Sequence, residues 1–147
     1  MDNTPVAARV EASLGLLLRR STRAGLYAGL VDQLEGVNET TYPVLSGIAR
    51  LEPVSSSRLA AEIGIDRTAT TRYAGRLADA GLVAREPDPA DARSTLLRLT
   101  ERGRSTIDVA RVRLVGQVED ALASWPADER AVFATVLEHF VETLRSR

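Results

Sequence analysis

The sequence contains no cysteine and no lysine, and its one histidine is His139. Without thiols there can be no disulfide, thiolate nucleophile or cysteine redox sensor. Without lysine there is no Schiff-base chemistry and no lysine for a phosphate-binding loop. All 19 basic residues are arginine, a usage that also fits a GC-rich genome. A single histidine cannot furnish a His- or Cys-rich metal site, so neither a metal nor a cofactor is expected; His139 reads as a plain helix residue. No apolar run approaches the roughly 18 residues of a membrane span. The acidic start Met1-Asp2-Asn3-Thr4 is unlike a signal peptide, which makes the cytoplasm the expected location. Carboxylates such as Glu62, Asp79 and Glu86 come with no histidine or supporting motif. They read as surface charge, and the inventory offers no enzyme.

What remains is a 147-residue chain, 44% apolar and 27% charged, the composition of one soluble domain. The net charge is only −1, but it is unevenly spread. Residues 56–104 hold nine arginines against seven acids, whereas residues 1–40 and 105–147 are both net acidic.

Apolar spacing predicts a long helix over 6–35, with Val10, Leu14, Leu17, Leu18, Ser21, Gly25 and Ala28 in one stripe. A second helix is predicted over 41–51, capped by Thr40 or Thr41, with Leu45, Ile48 and Leu51 as its buried face. Residues 54–81 read as two short helices, with Ser55, Ser56 and Ser57 as candidate caps of the first. Gly64 supplies the turn between them, Asp66 caps the second, and Gly81 closes it. Leu82–Glu86 and Thr95–Leu99 read as paired strands around a turn-forming tip at 87–92. A helix capped by Thr100 is expected to run to about Ser124. After the break at Trp125-Pro126-Ala127-Asp128, where Trp125 anchors the junction, a last helix spans about 128–145.

Ala60, Gly64 and Thr70 have the spacing of a helix-turn-helix: a small residue where two helices touch, a glycine in the turn, then an inward position on the second helix. Helix, turn, helix, strand, tip and strand together make a winged helix. The segment resembles the MarR family of bacterial regulators through Leu59-Ala60-Ala61-Glu62-Ile63-Gly64-Ile65-Asp66, Thr71-Arg72, Arg76-Leu77 and Ala80-Gly81-Leu82-Val83. The resemblance is sharpest at Pro87-Asp88-Pro89-Ala90-Asp91-Ala92-Arg93 followed by Leu99-Thr100-Glu101-Arg102-Gly103. It implies a mainly α fold with a small β-hairpin: one domain over 1–147, with a DNA-binding part at 41–104 and helical dimerisation parts at 6–35 and 105–147. Three positions depart from the family pattern. Thr70 replaces an apolar residue, Gly75 lies mid-helix at a cost of about 1 kcal/mol against alanine, and Ala92 stands where a second wing arginine is common.

In a helix-turn-helix the second helix enters the major groove. With Thr70, Tyr73, Ala74 and Leu77 turned inward, the outer face carries Arg67, Thr68, Ala69, Thr71, Arg72 and Arg76. Arg72 is the candidate base reader, because a guanidinium can grip guanine O6 and N7 together. Thr68 and Ala69 can meet thymine methyls, while Ser56, Ser57, Arg67 and Arg76 suit phosphates. The resemblance implies that Arg93 reaches the minor groove and that Asp91 fixes the wing, its carboxylate able to orient the guanidinium. The alternatives are an ordinary solvated helix face for Arg72 and Arg76, and a turn-stabilising pair for Asp91 and Arg93.

A winged helix needs only about 60–70 residues, so the apolar terminal helices must bury against something. The resemblance implies that those helices of two chains interlock in a homodimer that binds a near-palindromic double-stranded operator, as a repressor. Val10, Leu14, Val132, Val136, Phe140 and Leu144 are the candidate interface, with an intrachain core as the alternative. It also implies a small aromatic or lipophilic effector, for which Tyr27 and Tyr42 are candidates unless they are core edges. The rival reading from another class is a winged helix that binds proteins and not specific DNA.

Overall fold

A computed structural model describes residues 4–147, as a mainly helical chain with one small antiparallel sheet. Residues up to Arg113 form one compact unit and Leu114–Arg147 a second. In the first unit, α1 (Val6–Leu17) and α2 (Arg20–Val31) precede α3 (Tyr42–Leu51), β1 (Val54–Ser55), α4 (Ser56–Ile63) and α5 (Arg67–Asp79). The hairpin β2 (Val83–Asp88) and β3 (Asp91–Leu99) follows, then α6 (Glu101–Ala121), which continues into the second unit and is succeeded there by α7 (Ala127–Arg145).

The expected helix over 6–35 is two helices. The chain leaves helical geometry at Leu18 and Arg19, and the Thr22 hydroxyl donates to the Leu16 carbonyl (2.9 Å), which also accepts the Arg19 N–H at a longer 3.4 Å. A threonine that can bond the backbone locally competes with the helix ladder, and apolar spacing does not report that competition. The start of α3 also differs in detail. Thr41 is the capping residue, but its hydroxyl makes no cap; it accepts the Asn38 N–H (3.0 Å), while the Asn38 side-chain oxygen accepts the N–H groups of Thr40 and Thr41.

The winged-helix core is built from Val44, Leu45, Ile48, Leu59, Leu77, Leu82 and Leu97, all fully or nearly fully buried. Ser55 caps α4 by accepting the Arg58 N–H (3.3 Å), and Gly64 closes that helix in the left-handed region at φ 68°. There a side chain would be strained. Asp66 caps α5 by accepting the Ala69 N–H (2.9 Å). Thr70 is fully buried, and its hydroxyl points at the Ile65 carbonyl (3.5 Å), back in the turn.

The sheet has the order β1-β3-β2. The two-residue strand β1, read from sequence as part of a helical stretch, pairs Val54 with Leu97. The hairpin is longer than expected, because β3 begins at Asp91 and leaves only Pro89 and Ala90 as the tip. Asp88 accepts the Ala90 N–H (2.8 Å) and Asp91 the Arg93 N–H (2.9 Å), so two aspartates fold the tip locally. Thr100 starts α6 as expected, accepting the Gly103 N–H (3.0 Å) and donating to the Gly81 carbonyl (2.6 Å).

In the second unit α7 buries none of its residues. Trp125 packs against Phe133 with ring centroids 5.3 Å apart, and Arg130 donates to the carbonyls of Ala123 and Trp125, which closes the corner after α6. No helix of the described residues is long and apolar enough to cross a membrane.

Candidate nucleic-acid interface

The second helix of the helix-turn-helix presents the face its sequence predicts. Thr70, Ala74 and Leu77 are buried and Tyr73 is half-buried, whereas Arg67, Thr68, Thr71, Arg72 and Arg76 are exposed. Ala69 is half-buried. Ser56 and Ser57 sit in the first turn of α4, beside the capping Ser55. Arg72 does not point freely into solvent. Its guanidinium carbon lies 5.2 Å from the centre of the Tyr73 ring, and that of Arg76 lies 5.9 Å from the same ring.

Between α5 and the hairpin runs a polar groove of about 530 Å³. It is lined by Ser55, Ser56 and Ser57 at the start of α4, by Arg67 and Thr71 on α5, and by Arg85, Asp91, Arg93, Ser94, Thr95 and Leu97 of the hairpin. The structure thus brings together Ser56, Ser57, Arg67, Thr71, Asp91 and Arg93 from the predicted set. Arg72 and Arg76 lie outside this lining, on the neighbouring face of α5. Among the described residues, the guanidinium groups of Arg67, Arg85 and Arg93 have no hydrogen-bond or ion-pair partner. Three unpaired cations with one lining carboxylate, Asp91, form a place for an anion. The expected pairing of the Asp91 carboxylate with the Arg93 guanidinium is absent. Asp91 instead holds the Arg93 backbone N–H, a shorter reach that fixes the chain and leaves the guanidinium free.

Arg85 was not singled out from the sequence, yet a signal for it exists. Val83 pairs with Leu99 and Arg85 with Leu97, so all four share one face of the hairpin. Val83, Leu97 and Leu99 are buried there. Counting in twos from Val83 carries that inward row past the core edge to Arg85, which therefore faces α5. On the opposite face, Glu86, read as scattered surface charge, is paired across the strands with Arg98 (2.9 Å).

The remaining sequence candidates lie elsewhere. Tyr27 is half-buried, and its ring centroid is 5.1 Å from that of Tyr42, which is buried in the core of the first unit. Val10, Val132, Val136 and Leu144 are exposed, and Leu14 and Phe140 are half-buried.

Comparison with known proteins agrees with this architecture. Residues 35–94 match the MarR family model. The HTH-type transcriptional regulator YdgJ of Bacillus subtilis is 31% identical over 102 residues, 69% of this chain. That alignment spans 62% of YdgJ, less than two thirds of its length. Among solved structures, wild-type MarR from E. coli in its apo form is 23% identical, with a TM-score of 0.75 over 95% of this chain and 98% of that one. The PcaV transcriptional regulator of Streptomyces coelicolor, solved in complex with its natural ligand, is 25% identical with a TM-score of 0.64 over 97% of this chain and 98% of its own. These relatives are regulators and not enzymes. In its helix-turn-helix, its hairpin wing and its flanking helices, the chain is similar to the MarR family of winged helix-turn-helix transcriptional regulators.

Proposed function

We propose that this chain is a transcriptional repressor that binds a near-palindromic double-stranded DNA operator as a homodimer. The observation that carries the reading is the groove between α5 and the hairpin, with three guanidinium groups unpaired among the described residues. When a recognition helix lies in the major groove and its wing in the adjacent minor groove, one sugar–phosphate strand must pass between them. A cationic, hydroxyl-lined channel at that place suits such a strand. Arg72 and the α5 N-terminal residues Thr68 and Ala69 then meet base edges, and Arg93 enters the minor groove.

The exposed apolar side chains of α7 support the dimer. Val132 is 61% and Val136 59% exposed, and with Leu144 and Leu137 they make an apolar surface that water does not favour. A second copy of the same helix is its natural cover, and two-fold pairing presents two recognition helices to one duplex. The ligand-bound PcaV relative supports an effector-responsive regulator. A small aromatic or lipophilic molecule near Tyr27 and Tyr42 would act by preferring one spacing of the two DNA-reading lobes, since only differential affinity shifts such an equilibrium.

The test is selection of bound sequences from random duplexes at two salt concentrations. A two-fold symmetric site about one helical turn between half-site centres, with affinity falling steeply as salt rises, is the expected result. Binding with no sequence preference and no salt dependence would leave the winged helix as a protein-interaction module.

A further inference from the structure

Gly75 is the residue of α5 that helix propensity disfavours most, and it lies on the groove side. Arg67, Thr71 and Gly75 recur every four residues and so form a single ridge along the helix. The hairpin opposes this ridge with Arg85, on the row that also carries Val83. A Cβ built on Gly75 would stand 3.2 Å from Nη2 of Arg85, closer than ordinary van der Waals contact allows. Apart from its chain neighbours and the backbone of its own helix, no other described atom comes within 4 Å of that position. The guanidinium tip therefore lies beside the bare backbone of the recognition helix, so close that a methyl group at 75 would have to shift it by a few tenths of an ångström. No hydrogen bond or ion pair among the described residues holds it there.

We propose that Arg85 is a ligand for a DNA backbone phosphate and that Gly75 is its positioning residue. The missing side chain lets a cation from the wing's base lie at the floor of the channel and not at its rim. The assignment rests on the DNA-binding reading above, and it adds a phosphate contact between those of the recognition helix and the minor-groove arginine of the wing tip. It also gives the mid-helix glycine a physical purpose, since helix stability is given up at 75 to set the height of a charge.

Because a phosphate contact is blind to sequence, the probe is a mixed-sequence duplex of about 30 base pairs, titrated by fluorescence anisotropy over a range of salt. Arg85→Ala should weaken binding about tenfold and lower the magnitude of the log–log salt slope by about 0.9 per protomer. Its melting temperature should stay at the parental value, since the side chain has no hydrogen-bond or ion-pair partner among the described residues. Arg85→Lys should keep the parental slope, because the charge still displaces a counterion. Gly75→Ala should raise the melting temperature by about 2–4 °C through helix propensity while weakening DNA binding. Gly75→Leu should weaken binding further, and neither Gly75 change should weaken it in an Arg85→Ala background. If the parent binds the duplex and Arg85→Ala matches it in affinity and slope, the phosphate role is wrong and the DNA-binding reading stands. If Arg85→Ala weakens binding but both Gly75 variants bind like the parent, the positioning role is wrong. If the parent binds no duplex at all, both readings fall together.

Discussion

Arg72 and its neighbour Tyr73 are in contact through both ring and hydroxyl: Nη2 of Arg72 lies 3.5 Å from the Tyr73 oxygen, and the guanidinium covers the ring face. Arg76 approaches the same ring more loosely. In the free protein, then, the candidate base reader is gathered against the helix and not extended. An exposed cation–π contact holds a cation by about 0.5–1 kcal/mol, little enough for a bidentate bond to guanine to displace.

From this follows a separation between the two arginines. Arg72→Ala should reduce discrimination between the selected operator and a mixed duplex by about 1–3 kcal/mol and leave the mixed-duplex affinity nearly unchanged. Arg76→Ala should weaken both duplexes alike and flatten the salt slope. Paired titrations of each variant on the two duplexes decide it, and equal losses for Arg72→Ala on both would remove its base-reading role.

At the wing tip, Arg93→Ala should weaken operator binding at least tenfold, about 1.4 kcal/mol, without altering the circular dichroism spectrum or the melting temperature. Among the described residues the guanidinium has no partner to lose, while the Asp91 bond to the Arg93 backbone survives the change. Unchanged operator affinity would show that the tip never reaches DNA.

Beneath the wing, Glu52 accepts both the backbone N–H of Leu99 and the Arg104 guanidinium, each at 2.6 Å. Its side chain is mostly buried, whereas that of Arg104 is mostly exposed. Glu52→Ala strands a backbone donor at a buried strand residue and should cost about 1–3 kcal/mol. Arg104→Ala should cost under about 1 kcal/mol, as a largely exposed pair does. Urea unfolding monitored by circular dichroism measures both, and equal losses would mean that the Leu99 bond contributes nothing.

The Leu-Thr-x-x-Gly pattern of residues 99–103 is visible in the sequence, but its reason is spatial. Thr100 bridges Gly81 and Gly103, its own N–H meets the Leu82 carbonyl, and that carbonyl occupies the space a Cβ on Gly103 would need. Gly103→Ala must therefore push backbone against backbone and should destabilise by about 1–3 kcal/mol or more, read in the same urea experiment. A melting curve equal to the parent's would mean the α5–β2 corner is free to move.

Much of the architecture was legible because its signals are local. Asp66 and Thr100 advertise caps, Gly64 a left-handed turn, and Leu45, Ile48 and Leu59 their buried faces. The break in the first helix was not legible, since neither glycine nor proline marks Leu18 and Arg19, and a hydroxyl bond six residues back is invisible to periodicity. In the site, the face of α5 could be read from helical spacing alone. The groove could not, because it exists only once a strand alternation begun at Val83 is set against a helix ridge ending at Gly75. That is why Arg85 went unnoticed and why Gly75 looked like a defect. The strand β1 escaped for a simpler reason: two residues carry no period, and Val54 becomes a strand only by pairing with Leu97.

Among the described residues, α7 carries an exposed apolar surface that includes Val132, Val136, Leu137 and Leu144. Val132 and Val136 are four residues apart and lie on one face, with Asp128 and Glu129 at its edge. If that face meets a second copy, a charge introduced at its centre has to be desolvated twice, once on each side of the two-fold axis. Val136→Arg should then shift the protein from dimer to monomer in sedimentation velocity at micromolar concentration. The monomer should keep its helical spectrum, because Val136 is exposed within the chain. It should also bind a half-site duplex as the parent's single lobe would, while losing the added affinity that two linked lobes give on a full site. A Val136→Arg protein that remains dimeric, or a parent that sediments as a monomer, would move the dimer contact away from this face of α7.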